Sequence, residues 1–209
     1  MIKILIADDH PIVRRGLKEI VSEEPDMTVG GEAQNSREAV ALMRKQKWDV
    51  LILDITMPDG DGLEVLKQVK RECPKLPVLV LSVHSEDQYA VRILRSGGAG
   101  YMTKESAPEE LVKAIRKVVA GGKYISPLLA EKLAFDLESG DKLTHEALSN
   151  REFQVMLMIA TGKKLKQVAE ELFLSVETVS TYRARILKKM RMKTNAELTH
   201  YAIKNKLID

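Results

Sequence analysis

The sequence of 209 residues contains one cysteine, Cys73. A single thiol cannot form an intramolecular disulfide bond, and without a second cysteine it supports no zinc site. The sequence also contains no apolar run of about 18 residues, the length that a membrane-spanning helix requires. We therefore expect a chain that makes no use of disulfides, structural zinc or membrane insertion.

The first seven residues are largely apolar, but Asp8 and Asp9 interrupt them at once. A secretory signal would continue for longer and end in small residues. This segment is therefore predicted to be a first β-strand, and we expect a cytoplasmic protein.

Charge is distributed unevenly along the chain, although the formal net charge is only +3. Residues 1–121 contain 18 basic and 19 acidic side chains, whereas residues 149–209 contain 12 and 6. The second segment therefore carries a net charge of +6, which favours binding to a polyanion. A basic segment can also serve solubility alone, so composition leaves both interpretations open.

Residues 1–121 alternate strand-like apolar runs with amphipathic helical segments. The five predicted strands are residues 2–7, 28–31, 50–54, 78–82 and 100–102. Helices are predicted at residues 11–22, 36–47, 63–72 and 87–96, and a fifth, with a capping box of Ser106 and Glu109, runs to about residue 120. Five such β–α units predict an α/β fold, a doubly wound five-stranded parallel sheet with helices on both faces.

After Gly121 and Gly122 the pattern is helical only. A linker at residues 122–145, with a short helix from Ser126 to about residue 137, is expected to join the two parts. Further helices are predicted at residues 153–160, led by a capping box at 149–152, and at 165–172, 176–190 and 195–205. Residues 165–190 have the outline of helix, turn and helix, so residues 146–209 are predicted to form a small all-α helix-turn-helix domain.

Three carboxylates are predicted at the carboxyl ends of strands, namely Asp8 and Asp9 after the first strand and Asp54 at the end of the third. If the strand order is 2-1-3-4-5, these acids converge at the edge of the sheet where ligands bind. A hard divalent cation such as Mg²⁺ would compensate their mutual repulsion. The alternative is that an acid such as Asp9 caps the following helix, which accounts for one carboxylate better than for three.

Two further polar residues follow the remaining strands. Ser82 ends the fourth strand and Lys104 lies just after the fifth, so they would add a hydroxyl and an ammonium beside the acids. A carboxylate can attack phosphorus and form an acyl phosphate when such groups stabilise the phosphoryl oxygens. These residue types together predict a phosphoryl-accepting site.

The first half of the chain resembles the receiver domains of two-component response regulators in four motifs: Asp8-Asp9, Asp54-Ile55-Thr56-Met57-Pro58, Ser82 and Tyr101-Met102-Thr103-Lys104. The resemblance implies a flavodoxin-like fold in which Asp54 accepts phosphate from a sensor histidine kinase. It also implies a Mg²⁺ site in which Asp9, Asp54 and the main-chain carbonyl of Thr56 hold the ion, with Asp8 acting mainly through water.

The same resemblance assigns roles to residues around the acids. It implies that Ser82 and Lys104 contact the phosphoryl group and that Tyr101 changes rotamer as the signal leaves the site. Thr56 and His84 would tune the lifetime of the acyl phosphate by controlling the access of water.

The predicted helix at residues 176–190 has two distinct faces at 100° per residue. The inward face gathers Val179, Tyr182, Ile186 and Met190. The outward face gathers Glu177, Thr181, Ala184, Arg185 and Lys188, with Ser180 at its edge. This face is small and polar at its start and basic at its end, which suits the major groove of double-stranded DNA, although a charged outer face is often only solvated.

Residues 147–208 resemble the LuxR-type output domain, which together with a receiver defines the NarL/FixJ subfamily. The shared motifs are Leu148-Ser149-Asn150-Arg151-Glu152, Gly162, Val168-Ala169-Glu170, Leu174-Ser175 and Thr178-Val179. The resemblance implies base contacts by Ser180, Thr181 and Ala184. Contacts with DNA phosphates are better suited to Arg183, Lys188 and Lys189. Arg185 is placed to contact either a base or a phosphate. The last helix resembles the family's dimerisation helix, in which Leu198, Tyr201 and Ala202 form either an interface or ordinary core.

We therefore predict a phosphorylation-controlled transcriptional regulator that forms a homodimer on phosphorylation, and not an enzyme. Phosphatases with an Asp nucleophile keep a second acid two residues later, where this chain has Thr56. A receiver linked to an interaction module that does not bind DNA would have a neutral output domain, whereas this one carries +6.

Overall fold

A computed structural model describes residues 1–57, 62–84, 86–126, 129–131, 144–205 and 207–208 of the chain. The chain divides into two compact units, Met1–Phe135 and Asp136–Asp209. Within the described ranges, no helix is both long enough and apolar enough to cross a membrane. Pro58 of the predicted motif lies outside the described residues.

The first unit contains a five-stranded parallel sheet in the order β2-β1-β3-β4-β5. The strands are β1 (Ile2–Ala7), β2 (Met27–Ala33), β3 (Val50–Leu53), β4 (Val78–Ser82) and β5 (Gly100–Thr103). Strand β3 and residues 4–6 of β1 are buried, as their uninterrupted apolar runs predict for central strands, and β4 is buried along its whole length as well. The predicted strand order is confirmed, so β1 and β3 are neighbours.

Five helices pack on the sheet, namely α1 (Pro11–Ser22), α2 (Ser36–Lys45), α3 (Gly62–Glu72), α4 (Glu86–Arg95) and α5 (Pro108–Val119). Helices α1 and α5 share one core cluster with β1, β3 and β4, in which Leu17 and Ile115 are buried. The expected doubly wound α/β fold is confirmed. Burial of such apolar surface contributes about 25 cal/mol per Å² to folding.

The start of α5 differs from the prediction. Its N-cap is Ala107, and Pro108 occupies the first turn without any side-chain cap. The Ser106 hydroxyl lies instead 3.3 Å from the Thr103 hydroxyl, so the capping box predicted for Ser106 and Glu109 is wrong. Proline at the first helical position has the helical φ already and no N–H to satisfy, which makes a side-chain cap dispensable.

Only part of the predicted linker is described. The predicted cap Ser126 accepts a hydrogen bond from the Leu129 amide at 3.1 Å, and residues 129–131 are helical. The rest of the helix predicted as far as residue 137 lies outside the described residues.

In the described part of the second unit, a short 3₁₀ turn (Thr144–Ala147) is followed by α6 (Asn150–Ala160), α7 (Leu165–Glu171), α8 (Val176–Met190) and α9 (Asn195–Lys204). The capping box of α6 is confirmed, because Ser149 and Glu152 exchange backbone and side-chain hydrogen bonds. Ser175 caps α8 by accepting a bond from the Thr178 amide, and Thr194 caps α9 by accepting one from the Glu197 amide. Helices α7 and α8 form the predicted helix-turn-helix.

Gly62 sets the position of α3 against the end of β3. A Cβ at this residue would overlap the Cα of Ile55 and lie 2.5 Å from the Asp54 carbonyl oxygen. The first turn of α3 therefore packs directly on the backbone that carries Asp54. In contrast, a Cβ on Gly16, inside α1, would meet no atom within 4 Å.

The two glycines predict opposite effects of the same substitution. Gly62→Ala should lower the free energy of unfolding by about 1–3 kcal/mol, because backbone must move to admit the methyl group. Gly16→Ala should raise it by about 0.5–1 kcal/mol, because alanine is the better helix former. Urea unfolding followed by the fluorescence of Trp48, the only tryptophan, measures both. Equal effects of the two substitutions would contradict this packing.

Candidate functional site

Asp54 follows β3 and is 1% exposed. Its Oδ1 accepts hydrogen bonds from the Thr56 amide at 2.8 Å and from the Thr56 hydroxyl at 2.6 Å. Its Oδ2 accepts a bond of 2.6 Å from Lys104 Nζ. Both oxygens of this buried carboxylate are therefore oriented by donors.

Asp8 and Asp9 follow β1 directly beside Asp54. Asp8 is 2% exposed, and its Oδ2 lies 2.7 Å from Lys104 Nζ. Asp9 is partly exposed, and its Oδ1 is buried without a hydrogen bond, although it lies 2.9 Å from His10 Nδ1. The structure therefore brings the three acids together, as the sequence predicts.

The pocket offers the donors that a hard divalent cation requires. One ligand atom from each of Asp8, Asp9, His10 and Asp54 lies within 4.8 Å of the others. Most atoms of this set are carboxylate oxygens, the ligands that such a cation prefers. Asp9 Oδ1 accepts no hydrogen bond, so binding an ion there would break none. The residues present therefore fit such an ion. Sequence reasoning missed His10, for which its place directly after the paired acids was the only signal.

Two cations stabilise the acids from neighbouring elements. Lys104 follows β5 and its side chain is 10% exposed. Burial alone would lower the pKa of Lys104, but its hydrogen bonds to Asp54 and Asp8 outweigh this effect and raise the pKa above its ordinary value. Arg14 in α1, which sequence reasoning also missed, is buried and donates a bond of 2.8 Å to the Asp8 carbonyl.

The end of β4 forms a second cluster next to the acids. Ser82 is fully buried, and its hydroxyl accepts a bond of 3.2 Å from the His84 amide. The hydroxyl of Tyr101, a side chain that is 1% exposed, donates to the His84 carbonyl at 2.8 Å, and burial raises the pKa of this tyrosine. The His84 ring stacks on Tyr89 at 4.8 Å, and burial lowers the pKa of His84.

In the second unit, the outward face of α8 is open to solvent. Its exposed side chains are Glu177, Ser180, Thr181, Ala184, Arg185 and Lys188. On the inward face Val179, Ile186 and Met190 are buried, as predicted, whereas Tyr182 is only half-buried. Leu187 is also buried, because α8 packs against α6 over a wider stripe than the periodicity indicates.

Two basic residues of α8 have partners inside the domain. Arg183 Nε donates to Asn195 Oδ1 at 2.6 Å. Lys189 Nζ donates at 2.6 Å to Glu152, a side chain that is 4% exposed. Phosphate contacts by Arg183 and Lys189 stay predictions, and in the free domain these side chains hold α8 against α6 and α9.

Helix α9 leaves little of its predicted interface accessible. Leu198 and Ala202 are fully buried, and Tyr201 is half-buried with its hydroxyl 2.8 Å from His145 Nδ1. Of the two alternatives for these residues, the structure favours ordinary core for Leu198 and Ala202. A dimer contact through α9 stays a prediction and would use exposed side chains such as Ile203, which is 53% exposed.

The buried, doubly oriented carboxylate at the carboxyl edge of a parallel sheet, together with the helix-turn-helix of the second unit, matches the receiver and output domains that the sequence resemblance implies. The family of response regulator receiver domains matches residues 4–116. The luxR family of bacterial regulatory proteins matches residues 146–202. The chain is 39% identical over 213 residues to response regulator GacA of Pseudomonas aeruginosa, an alignment that covers 100% of this chain and 99% of GacA.

Solved structures resemble the chain over nearly its whole length. One of them is RcsB of Salmonella enterica serovar Typhimurium, bound to a promoter in the presence of the phosphomimetic BeF₃⁻. It is 26% identical to this chain with a TM-score of 0.62, and the match covers 96% of this chain and 97% of the RcsB chain. A structure of two RcsB dimers bound to two parallel DNAs is 28% identical with a TM-score of 0.61 and the same coverage. The chain therefore belongs to the NarL/FixJ-type response regulators, which are phosphorylation-dependent DNA-binding transcription regulators.

The pair of Lys189 and Glu152 predicts unequal roles for two adjacent lysines. Lys189→Met should lower the free energy of unfolding of the second unit by about 1–3 kcal/mol, because it leaves the buried Glu152 without its cation. Lys188→Met should change it by less than about 0.5 kcal/mol, because Lys188 is exposed. Thermal unfolding of the two variants at neutral pH measures the difference.

The pH dependence of this difference is a further check. Burial raises the pKa of Glu152, but hydrogen bonds from Lys189 and Ser149 outweigh it and hold the pKa below its ordinary value. A depressed carboxyl pKa stabilises the fold above the pKa of the unfolded chain, and this stabilisation disappears as the pH falls through the folded pKa. The deficit of Lys189→Met should therefore shrink below about pH 4. A deficit that stays constant at low pH would contradict the assigned ion pair.

Proposed function

We propose that phosphorylation of Asp54 controls DNA binding by α8 and thereby regulates transcription in the cytoplasm. The observation that carries the proposal is the orientation of the Asp54 carboxylate by Thr56 on one oxygen and by Lys104 on the other. A pocket that contains a fixed carboxylate, an ammonium and the buried Ser82 hydroxyl suits transfer of a phosphoryl group.

The phosphodonor is a phosphohistidine of a sensor histidine kinase. An oxygen of Asp54 forms a bond to phosphorus while the phosphorus–nitrogen bond breaks, and the released imidazole takes up a proton. The attacking group is a carboxylate, so the step requires no general base to remove a proton from it. Lys104 and Ser82 then donate to the phosphoryl oxygens.

Mg²⁺ is the ion that we assign to Asp8, Asp9, Asp54 and the main-chain carbonyl of Thr56. When bound, it neutralises negative charge on the acids and on the phosphoryl oxygens. His10 lies close enough to these acids that its ring nitrogen would help to hold the ion.

We assign residues 1–121 to the receiver, 122–145 to the linker and 146–209 to the output domain. The phosphorylated chain is proposed to form a homodimer on double-stranded DNA, in line with the RcsB dimers on DNA. Two copies of α8 related by a two-fold axis read an inverted repeat with half-sites about one helical turn apart. Ser180, Thr181 and Ala184 face the bases, whereas Lys188 contacts phosphate.

Replacement of the acceptor tests the site directly. Asp54→Asn should abolish labelling by a small phosphodonor in the presence of Mg²⁺, because the amide has nearly the same shape but is not nucleophilic. Asp49→Asn is the matched control, since Asp49 is an acid of the same unit that bonds to Lys3 outside the pocket. Mass spectrometry of the intact chain measures the label, and labelling of Asp54→Asn at the wild-type rate would overturn the assignment.

The lifetime of the acyl phosphate should depend on Thr56 and His84. Thr56→Ala removes a donor to Asp54 Oδ1, and His84→Ala opens the half-buried cluster at the end of β4. Each change should admit water and shorten the lifetime about three- to tenfold, which corresponds to about 1 kcal/mol in the barrier. The decay of label at Asp54 measures the rate. Unchanged decay in both variants would remove these residues from this role.

Two substitutions on α8 should separate phosphate contacts from base contacts. Lys188→Ala should weaken binding to all sequences alike and reduce the slope of log affinity against log salt by about one. Thr181→Ala should cost about 1–3 kcal/mol on the preferred site only. Salt titrations on specific and random duplexes measure both. If both variants lose specific and random binding equally, α8 does not read bases with this face.

A further inference from the structure

The chain after α5 returns to the open edge of the sheet. Residues 123–126, which we call the strap, lie beside β5, where Tyr124 forms a parallel bridge with Gly100. The Tyr124 amide donates to the Ala99 carbonyl at 2.9 Å, and Lys123 Nζ donates to the Gly98 carbonyl at 2.5 Å. A Cβ on Gly100 would lie 2.8 Å from the Tyr124 carbonyl oxygen, so only glycine allows this approach.

Side chains of the strap bind the two helices on either side of β5. The Ser126 hydroxyl donates to Glu86 Oε2 at 2.5 Å, and the Tyr124 hydroxyl donates to Glu110 Oε2 at 2.8 Å. Glu86 is the first residue of α4, and Glu110 lies in the first turn of α5. The Ser126 hydroxyl also caps the helical turn that follows it, through the Leu129 amide. The start of the linker is thus fastened to α4 and α5 within one unit.

Contacts run from the phosphorylation pocket to this fastening point. The hydroxyl of Ser82 bonds to the backbone of His84, whose ring stacks on Tyr89 of α4. Two residues after His84, α4 begins with Glu86. A movement of Ser82 towards a phosphoryl group on Asp54 would therefore reach α4 through His84 and its contact with Tyr89.

We propose that the strap locks the start of the linker to the sheet. The bond between Ser126 and Glu86 keeps this lock closed, and phosphorylation of Asp54 opens it by breaking the bond. The bond joins a hydroxyl to one carboxylate oxygen, so a displacement of the first turn of α4 by about 1 Å takes it beyond hydrogen-bonding distance. One new charge-assisted contact of the phosphoryl group with Ser82 is of comparable strength and can drive that displacement. The inference rests on the proposed phosphorylation of Asp54 for its trigger, but not for the lock itself.

Hydrogen exchange of the full chain, read at the amides of Tyr124 and Leu129, tests the lock. Glu86→Ala should accelerate exchange at both amides about tenfold without any phosphodonor, because the hydrogen bond to the charged carboxylate is lost. Ser126→Ala should do the same at the Tyr124 amide, which is the amide to read in this variant because the substitution also removes the acceptor of the Leu129 amide. Glu86→Gln and Ser126→Thr keep an acceptor and a hydroxyl, so they should retain most of the protection. Lys67→Ala, which removes an exposed ion pair with Glu64 on α3, is the control for a change of surface charge.

In the wild-type chain, acetyl phosphate with Mg²⁺ should accelerate exchange at the same amides, while amides of β1 and β3 stay protected. Global destabilisation would accelerate exchange at the amides of β1 and β3 as well. If, in both alanine variants, these sheet amides exchanged faster by the same factor as the strap amides, the proposal would be overturned. Wild-type protection in Glu86→Ala would also overturn it.

If mass spectrometry shows the label on Asp54 but the strap does not respond, the lock is wrong and the proposed function stands. Absence of label contradicts the proposed function, and the alanine variants still decide the lock.

Discussion

One ammonium group, that of Lys104, makes the acidic pocket possible. Asp8 and Asp54 directly follow the neighbouring strands β1 and β3, and one oxygen of each lies within 4.8 Å of the other. At such a distance two buried carboxylates would repel each other strongly. Lys104 lies within 2.7 Å of both and comes from the loop after β5, so it connects the ends of β1, β3 and β5. Any group that enters the pocket, whether a cation or a phosphoryl group, has to be accommodated within this charge balance. This requirement is why chemistry at Asp54 affects the loops around it.

The same device recurs in the second unit with a different result. Lys189 and the buried Glu152 join α8 to α6, which fixes the helix whose outer face is proposed to read DNA. Here the ion pair joins two helices of the same unit and serves rigidity. The first unit thus has a lysine–carboxylate contact in the pocket that is proposed to be phosphorylated, and the second has one between two helices. In the first unit, the strap is proposed to connect the phosphorylation site to the linker through Ser126 and Glu86.

Much of this could be predicted from the sequence, because the features in question repeat or stand at fixed places. Apolar runs followed by acids defined β1 and β3 and the pocket at their ends. Contacts that depend on tertiary packing were not predictable: His10 and Arg14 reach the pocket from the start of α1, where periodicity says nothing about side-chain direction. Ser106 looked like a cap by spacing alone, but Pro108 removed the need for one. Lys189 looked free for phosphate because its partner lies on another helix.

The most direct test of the central role of Lys104 is a double-mutant cycle with Asp54, measured by urea unfolding with Trp48 fluorescence as the probe of the first unit. Lys104→Met should destabilise the unit by about 3–5 kcal/mol, because two buried carboxylates lose their shared cation. Adding Asp54→Asn removes one of these charges and should recover part of the loss, with a coupling energy of about 1–3 kcal/mol. Effects that add to within about 0.5 kcal/mol would show that the ammonium does not hold the pocket together, and would contradict the account.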